Sequence, residues 1–293
     1  RVNESGAVIS NIEDLIRRTM DSGKIPGVAV AVVKEGEVLL SKGFGVANLE
    51  TDAPVTIKSM FQSGSLGKQF TSAGIMALVE DGLIDLDGSV TTYISEAPKA
   101  WRAITIRHLL THSSGIPDYT SAKFDYTKNY TEKDLVKMAS ELELEFIAGE
   151  RFNYSNTGYV MLGVLISRVT GKPYWEFLRE RIFDPAGMPT IRVNTESDIV
   201  KHRARGYLPV DGGWKQAGYV APMTNTTADG SMLMNLQDMI AWNDVVANRR
   251  ILSEQSWNLI LSPMKLNSGR TYPYGFGWFL NEVRGHTVQN HGG

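Results

Sequence analysis

Residues 70–79 read Phe-Thr-Ser-Ala-Gly-Ile-Met-Ala-Leu-Val, and residues 160–166 read Val-Met-Leu-Gly-Val-Leu-Ile. Both runs are mostly apolar and rich in small residues, and their length and spacing predict two buried helices. Such helices need other elements packed around them. The 293 residues, 42% hydrophobic and 21% charged, are enough for one large core or two lobes. A polar cluster stands before each run: Ser63-Gly64-Ser65-Leu66-Gly67-Lys68 before the first, Tyr154-Ser155-Asn156-Thr157 before the second.

The first cluster places a hydroxyl three residues before an amine. If the helix starts near Ser65, Ser65 and Lys68 share one face, one turn apart. The hydroxyl then lies at the positive end of the helix dipole, beside free backbone N–H groups. An amine kept neutral by burial could take its proton and make it a nucleophile. The same residues also fit a capped helix start with a solvated lysine. Ser155 or Asn156 could likewise be a simple cap for the second helix.

The rest of the chain frames these clusters. Ile9, Ile12, Leu15 and Ile16 recur at helical spacing among charges and predict an amphipathic helix ended by Gly23 and Pro26-Gly27. The runs 28–33 and 38–40, joined by Lys34-Glu35-Gly36-Glu37, predict a β-hairpin that 43–47 extends, its glycines marking a bulge or a close backbone approach. Thr105 is a cap for a short helix stopped by Gly115, and 132–144 reads as an amphipathic helix. Residues 174–183 form another helix. Asp211-Gly212-Gly213 is a candidate hairpin turn, residues 232–242 read as a strand or turn passing into a helix, and 274–280 and 287–289 read as late strands. Tyr119 and Tyr219 line a pocket or sit in core and surface positions. No internal repeat and no low-complexity linker is present.

Several function classes are disfavoured. A formal net charge of −2 argues against a general nucleic-acid binder. No apolar run approaches the roughly 18 residues of a membrane helix. The absence of cysteine excludes disulfides, a cysteine nucleophile and thiolate metal sites. Residues 81–87 carry three aspartates, but the glycine and glutamate of a calcium loop are not at the required offsets. His108 and His112 have helical zinc spacing, yet Leu109 stands where a zinc protease has its glutamate, and no third ligand is near. Histidines hydrogen-bonded beneath a loop are the simpler reading. No metal and no cofactor is expected. The sequence opens on Arg1, so the N-terminus is expected to be processed or trimmed; export is open, with an extracytoplasmic location weakly favoured.

Three stretches in order resemble one family. Ser65-Leu66-Gly67-Lys68, Tyr154-Ser155-Asn156 and His291-Gly292-Gly293 are similar to the Ser-x-x-Lys, Tyr-x-Asn and (Lys/His)-x-Gly signatures of the serine β-lactamase and penicillin-binding protein superfamily. The Tyr-x-Asn form points to the class C branch with its D-Ala-D-Ala carboxypeptidases and esterases. Residues 105–116 and Asp184-Pro185-Ala186-Gly187-Met188 also resemble that family's connecting segments, so the likeness runs from about Pro26 to the end.

The resemblance implies an α/β (α+β) fold in one unit. An antiparallel sheet lobe, about 1–60 and 221–293, combines the early hairpin with the late strands; a mainly helical lobe, about 61–220, is inserted. It implies a metal-independent serine hydrolase cleaving esters or amides through a Ser65 acyl-enzyme, with Lys68 and Tyr154 as catalytic residues and the first proton acceptor left open between them. Asn156, His291 and Gly293 would bind a small-molecule or peptide substrate. A histidine in the third motif, only partly charged at neutral pH, favours esterase or peptidase action over β-lactamase or D-Ala-D-Ala carboxypeptidase action. A penicillin-binding sensor with weak turnover is the non-enzyme alternative. The family's C-terminal strands and helix do not follow Gly293. A missing segment or a second chain fragment completing the sheet and the oxyanion hole is therefore a further expectation.

Overall fold

The computed structural model describes residues 2–120, 124–193, 198–218 and 227–293. Helix α1 (Val2–Gly23) leads into strands β1 (Gly27–Lys34) and β2 (Glu37–Asn48). Their two-residue turn is set by Glu35 and Gly36, both at positive φ (53° and 81°), as a type I′ turn requires. Gly43 and Gly45 mark close approaches, because a Cβ on either would come within 2.2 Å of the carbonyls of Val55 and Pro26. Strand β3 (Ala53–Pro54) pairs with β2 and completes a three-stranded antiparallel sheet.

Strand β4 (Phe61–Gln62) then delivers the chain to a short 3₁₀ turn, Gly64–Gly67, and the buried helix α2 (Lys68–Glu80). After the turn at Asp81-Gly82 come α3 (Val90–Tyr93) and α4 (Ile106–Leu110). The acidic turn holds Arg107, which donates to both carboxylate oxygens of Asp87 at 2.7 and 2.9 Å. Thr105 caps α4 as expected, in a capping box closed by His108. The helix stops at Leu110 and not at Gly115, because His112 takes the left-handed conformation (φ 54°). Helix α5 (Glu132–Ser140) ends four residues before the expected Leu144.

The second buried run forms α6 (Asn156–Thr170), ended by Gly171 in the left-handed region. Helix α7 (Tyr174–Leu178) runs on through a π turn to α8 (Asp184–Ala186). Strands β5 (Arg192–Val193), β6 (Tyr207–Val210), β7 (Gly213–Gln216) and β8 (Met232–Met234) follow, with β6 and β7 joined at Asp211-Gly212 as predicted. Helices α9 (Leu236–Ala247) and α10 (Glu254–Ile260) precede β9 (Met264–Lys265), β10 (Thr271–Tyr272), β11 (Phe279–Val283) and β12 (His286–Asn290). Tyr219 lies outside the described residues.

Small residues let the two buried helices approach their neighbours. A Cβ on Gly74 of α2 would fall 2.4 Å from Leu178 Cδ2, and one on Gly163 of α6 would fall 2.5 Å from Ala228 Cβ. Phe70 packs edge-on against Phe183 and Trp242, with ring centroids 5.3 and 5.0 Å apart. The Trp242 indole N–H donates to Gln69 at 2.9 Å. Each fully buried large apolar side chain of this core contributes about 1.5–3 kcal/mol.

Two sheet expectations need correction. The early hairpin and the late strands share no ladder among the described residues; β11 and β12 form their own ribbon, closed by Arg284-Gly285 at positive φ. The stretch from Tyr274 is not continuous strand either. Gly277, at φ 78°, dips against α2, where a Cβ would lie 2.9 Å from the Lys68 carbonyl. Pairing resumes only at Phe279.

Candidate active site

Pairing of β4 with β8, and a bond from Ser63 N–H to Met232 O at 2.7 Å, fix the approach to the Ser65 turn. Gly64 turns the chain at φ 52°. Three glycines then crowd the Ser65 amide. A Cβ on Gly64 would lie 2.4 Å from Gly293 C, and one on Gly230 would lie 2.4 Å from Gly64 C. A Cβ on Gly293 would come within 2.1 Å of Ser63 O and 3.0 Å of Ser65 N. The end of the third motif is thus packed against the nucleophile's own main chain. Any side chain there would push the Ser65 N–H out of place.

Lys68 is the first residue of α2 and is fully buried. Its ammonium donates to Ser65 Oγ at 2.9 Å, Asn156 Oδ1 at 2.8 Å and the Asp229 backbone carbonyl at 2.7 Å. All three donors of the charged form are therefore used. Burial lowers its pKa to about 8, against the opposing pull of the Asp229 and Asp118 carboxylates. If the nitrogen loses a proton it can keep its bonds to Asn156 and Asp229 and turn its lone pair to Ser65 Oγ.

Tyr154 lies over Lys68, its ring centre 5.0 Å from Nζ. His112 stacks on the same ring with centroids 4.1 Å apart. Burial pushes the Tyr154 phenol well above its usual range; the neighbouring Ser65 hydroxyl offsets part of this, and the Asp229 and Asp118 carboxylates add to it. The phenol is therefore neutral at ordinary pH. Its Oη lies near the Ser65 hydroxyl but is buried with no hydrogen-bond partner of normal geometry within the protein.

Asn156 opens α6, and Asp118 secures it. Asp118 Oδ2 accepts from the Asn156 backbone N–H at 2.9 Å and from Nδ2 at 3.0 Å. The helix start is thus capped by a remote carboxylate, not by Ser155, whose hydroxyl makes no cap. Thr157 straps the same loop down, donating to Pro117 O and accepting from Tyr119 N–H, both at 2.7 Å. Tyr119 is buried and donates to Asp229 Oδ2 at 2.7 Å. It serves as a brace behind Lys68.

His291 is half-buried. Its Nε2 lies 3.1 Å from Tyr274 Oη and its Nδ1 2.6 Å from Gly292 O. Burial lowers its pKa, the bond to Gly292 O opposes this, and the Lys68 charge lowers it further. His108 and His112 do not share a site. His108 Nδ1 accepts from Thr105 N–H within its capping box, while His112 is buried beneath Tyr154.

The structure thus gathers Ser65, Lys68, Tyr154, Asn156, His291 and Gly293 in one place. Sequence reading did not assign Asp118, Asp229, Tyr274, Gly64 or Gly230 to it. Asp118 and Tyr119 stand in the stretch after α4, but nothing in their spacing points 38 residues ahead to Asn156. Asp229 acts through its backbone carbonyl on Lys68 and through its carboxylate, 161 residues from the amine it faces, and no local residue pattern encodes that contact.

The sequence model of the Beta-lactamase family matches residues 12–293. Penicillin-binding protein 4* of Bacillus subtilis is 32% identical over 90% of this chain and 62% of its own length. A D-aminopeptidase of Brucella anthropi is 29% identical over 97% of this chain and 54% of its own length. The chain thus spans little more than half the length of these curated relatives. Among solved structures, the D-amino acid amidase of Ochrobactrum anthropi SV3 with D-phenylalanine superposes with a TM-score of 0.83. It is 27% identical, covering 98% of this chain and 84% of that one.

Proposed function

The chain belongs to the Beta-lactamase family, and from that membership and the geometry at Ser65 we propose that it is a serine hydrolase opening amide or ester bonds through an acyl-enzyme. The observation that carries this reading is the Lys68–Ser65 contact. A buried amine with its pKa lowered to about 8 stands 2.9 Å from the hydroxyl, its other donors already spent on Asn156 and Asp229. At pH 7 about a tenth of such an amine is neutral. That fraction takes the Ser65 proton as Oγ attacks the carbonyl carbon. Lys68, not Tyr154, is the first proton acceptor in this reading, because burial keeps the phenol protonated.

The tetrahedral oxyanion would form beside the Ser65 N–H, a donor worth a few kcal/mol when well placed. Collapse needs a proton on the leaving nitrogen or oxygen. Tyr154 supplies it from Oη, and the Lys68 ammonium restores the phenol. Water then attacks the ester by the reverse of these steps, giving up its proton as Ser65 regains one. Each transfer has a protein group to carry it, so the activity should survive chelators.

The charge pattern bears on the substrate. Two carboxylates, Asp118 and Asp229, border the site, while the third-motif residue is a histidine driven toward its neutral form. That balance suits an acyl group carrying an amine better than one carrying a carboxylate. An amidase or aminopeptidase activity of the kind named for the two D-amino acid relatives is the leading assignment. The match to a penicillin-binding protein keeps β-lactam acylation as the second reading.

Intact-mass analysis after treatment with a serine-directed fluorophosphonate, a penicillin and a panel of amino acid amides tests these readings, with Ser65→Ala as control. We expect a Ser65-dependent fluorophosphonate adduct and turnover of amides with a free α-amine. Folded protein that forms no adduct would sink the nucleophile assignment. A stable penicillin adduct without amide turnover would favour the second reading.

A further inference from the structure

Behind His291 lies a chain of contacts that the proposed chemistry does not use. His112 is 1% exposed, and its Nδ1 lies 3.1 Å from both the backbone N and O of Ser155. Its Nε2 lies 3.1 Å from Tyr274 Oη, and Tyr274 Oη lies 3.1 Å from His291 Nε2. His291 Nδ1 in turn lies 2.6 Å from Gly292 O. Five groups from four separate stretches of chain are joined in one line.

The two ends of the line set its direction. The buried Ser155 N–H has its acceptor in His112 Nδ1. A buried amide is seldom left unpaired, so Nδ1 presents its lone pair there. The proton of a neutral His112 is then on Nε2 and is donated to Tyr274 Oη. Tyr274 has one hydroxyl proton; the Tyr159 hydroxyl is also near it, but of these two acceptors His291 Nε2, at 3.1 Å, is the one at normal hydrogen-bond geometry. At the other end, a contact of 2.6 Å between Nδ1 and a carbonyl oxygen needs a proton between them. Both ends give the same answer: His291 carries its proton on Nδ1, and Nε2 accepts.

We propose that His112 and Tyr274 are positioning residues that hold His291 as a neutral ring, its proton on Nδ1 and its Nε2 occupied by the Tyr274 hydroxyl. This rests on reading the Ser65 cleft as a substrate site. It deepens that reading, because the third-motif side chain then offers substrate neither a cation nor a free N–H. Recognition at that end passes to the main chain of Gly292 and Gly293, and acyl groups ending in a carboxylate lose their counter-charge.

Charging His291 would reverse the whole line. Nε2 would carry a proton and turn the Tyr274 hydroxyl back toward His112. His112 would then have to move its own proton to Nδ1 and donate to Ser155 O, leaving the Ser155 N–H without its acceptor. Among the described residues, the groups facing His291 add no compensating negative charge. Lys68 of α2 is cationic, Tyr154 and Tyr274 are phenols held neutral by burial, His112 is neutral, and the Phe279 ring of β11 lies with its centre 5.2 Å from that of His291.

The test is imidazole ¹⁵N NMR across pH on the whole chain and on Tyr274→Phe, His112→Leu and His112→Gln, with fluorophosphonate labelling of Ser65 followed in parallel. Glutamine can still accept from Ser155 N–H and donate to Tyr274, whereas leucine can do neither. We expect His291 in the parent protein to be the Nδ1–H tautomer and to titrate below the ordinary imidazole value. Tyr274→Phe and His112→Leu should raise its titration above the parent value while burial and the Lys68 charge still hold it below the ordinary imidazole range, and His112→Gln should restore parent behaviour. An Nε2–H tautomer or an imidazolium at pH 7 in the parent protein overturns the proposal. So does a Tyr274→Phe protein whose His291 titrates unchanged. The parent measurement stands even if a variant fails to fold. Because the tautomer is read without turnover, failure here is distinguishable from failure of Ser65 to label.

Discussion

Lys68 Nζ donates to the backbone carbonyl of Asp229 at 2.7 Å, across 161 residues of sequence. The amine is therefore aimed by the main chain as well as by Asn156, and its third donor is left to point at Ser65. Arginine cannot replace it. A guanidinium stays protonated and has no lone pair to receive the serine proton. Lys68→Arg and Lys68→Ala should each lower the Ser65 acylation rate by about 10²–10⁴-fold, the range expected for loss of a general base. Stopped-flow labelling against a circular-dichroism control for folding measures this.

Acylation should follow the neutral fraction of Lys68, rising with pH and levelling above about 8. The Asp118 carboxylate raises that pKa, so Asp118→Asn, which can still accept from Asn156, should move the inflection to lower pH. A profile unchanged by Asp118→Asn would show that another group governs the rate.

Stability should carry the same signature. The folded pKa of Lys68, about 8, lies below the 10.5 of an exposed lysine. Between those values the unfolded chain binds more protons, so this group's contribution to stability rises with pH across that window and is flat below it. In urea titrations at pH 7.5 and 10, the parent protein should gain on Lys68→Met, which lacks the titrating group.

The glycines at Ser65 should separate packing from conformation. Gly230→Ala places a Cβ 2.4 Å from Gly64 C and 3.0 Å from Ser65 N, so backbone must move. Acylation should fall at least ten-fold, with a lower melting temperature. Gly212→Ala meets nothing within 4 Å and bears only the strain of φ 78°, which costs about 1 kcal/mol. It should leave labelling intact.

Phe70→Ala should be the most damaging of these changes for stability. The ring is fully buried between Phe183 and Trp242, and its removal leaves a cavity costing about 3–5 kcal/mol. Chemical denaturation reads this directly. Phe70→Leu should recover more than half of the loss.

Several features were legible from residues alone because each depends on near neighbours. The buried helices, the Glu35-Gly36 and Asp211-Gly212 turns and the Thr105 cap follow from periodicity and local stereochemistry. The serine–lysine pair was legible because three residues make one helical turn. The errors fell where a distant partner decides. Helix α4 stops at Leu110, just before His112, whose left-handed backbone is accompanied by ring bonds to Ser155 and Tyr274. The strand expected from Tyr274 is broken because Gly277 must pass against Lys68.

By itself the sequence determined which groups are present and in what local order: a hydroxyl and an amine one turn apart, a Tyr-x-Asn ahead of a buried helix, and a histidine before two glycines. Only the tertiary structure decided their protonation and their aim. Whether Lys68 is a solvated cation or a base depends on its complete burial and on three acceptors drawn from three separate segments. Desolvation and directional hydrogen bonding are properties of the assembled site. No spacing of residues along the chain encodes them.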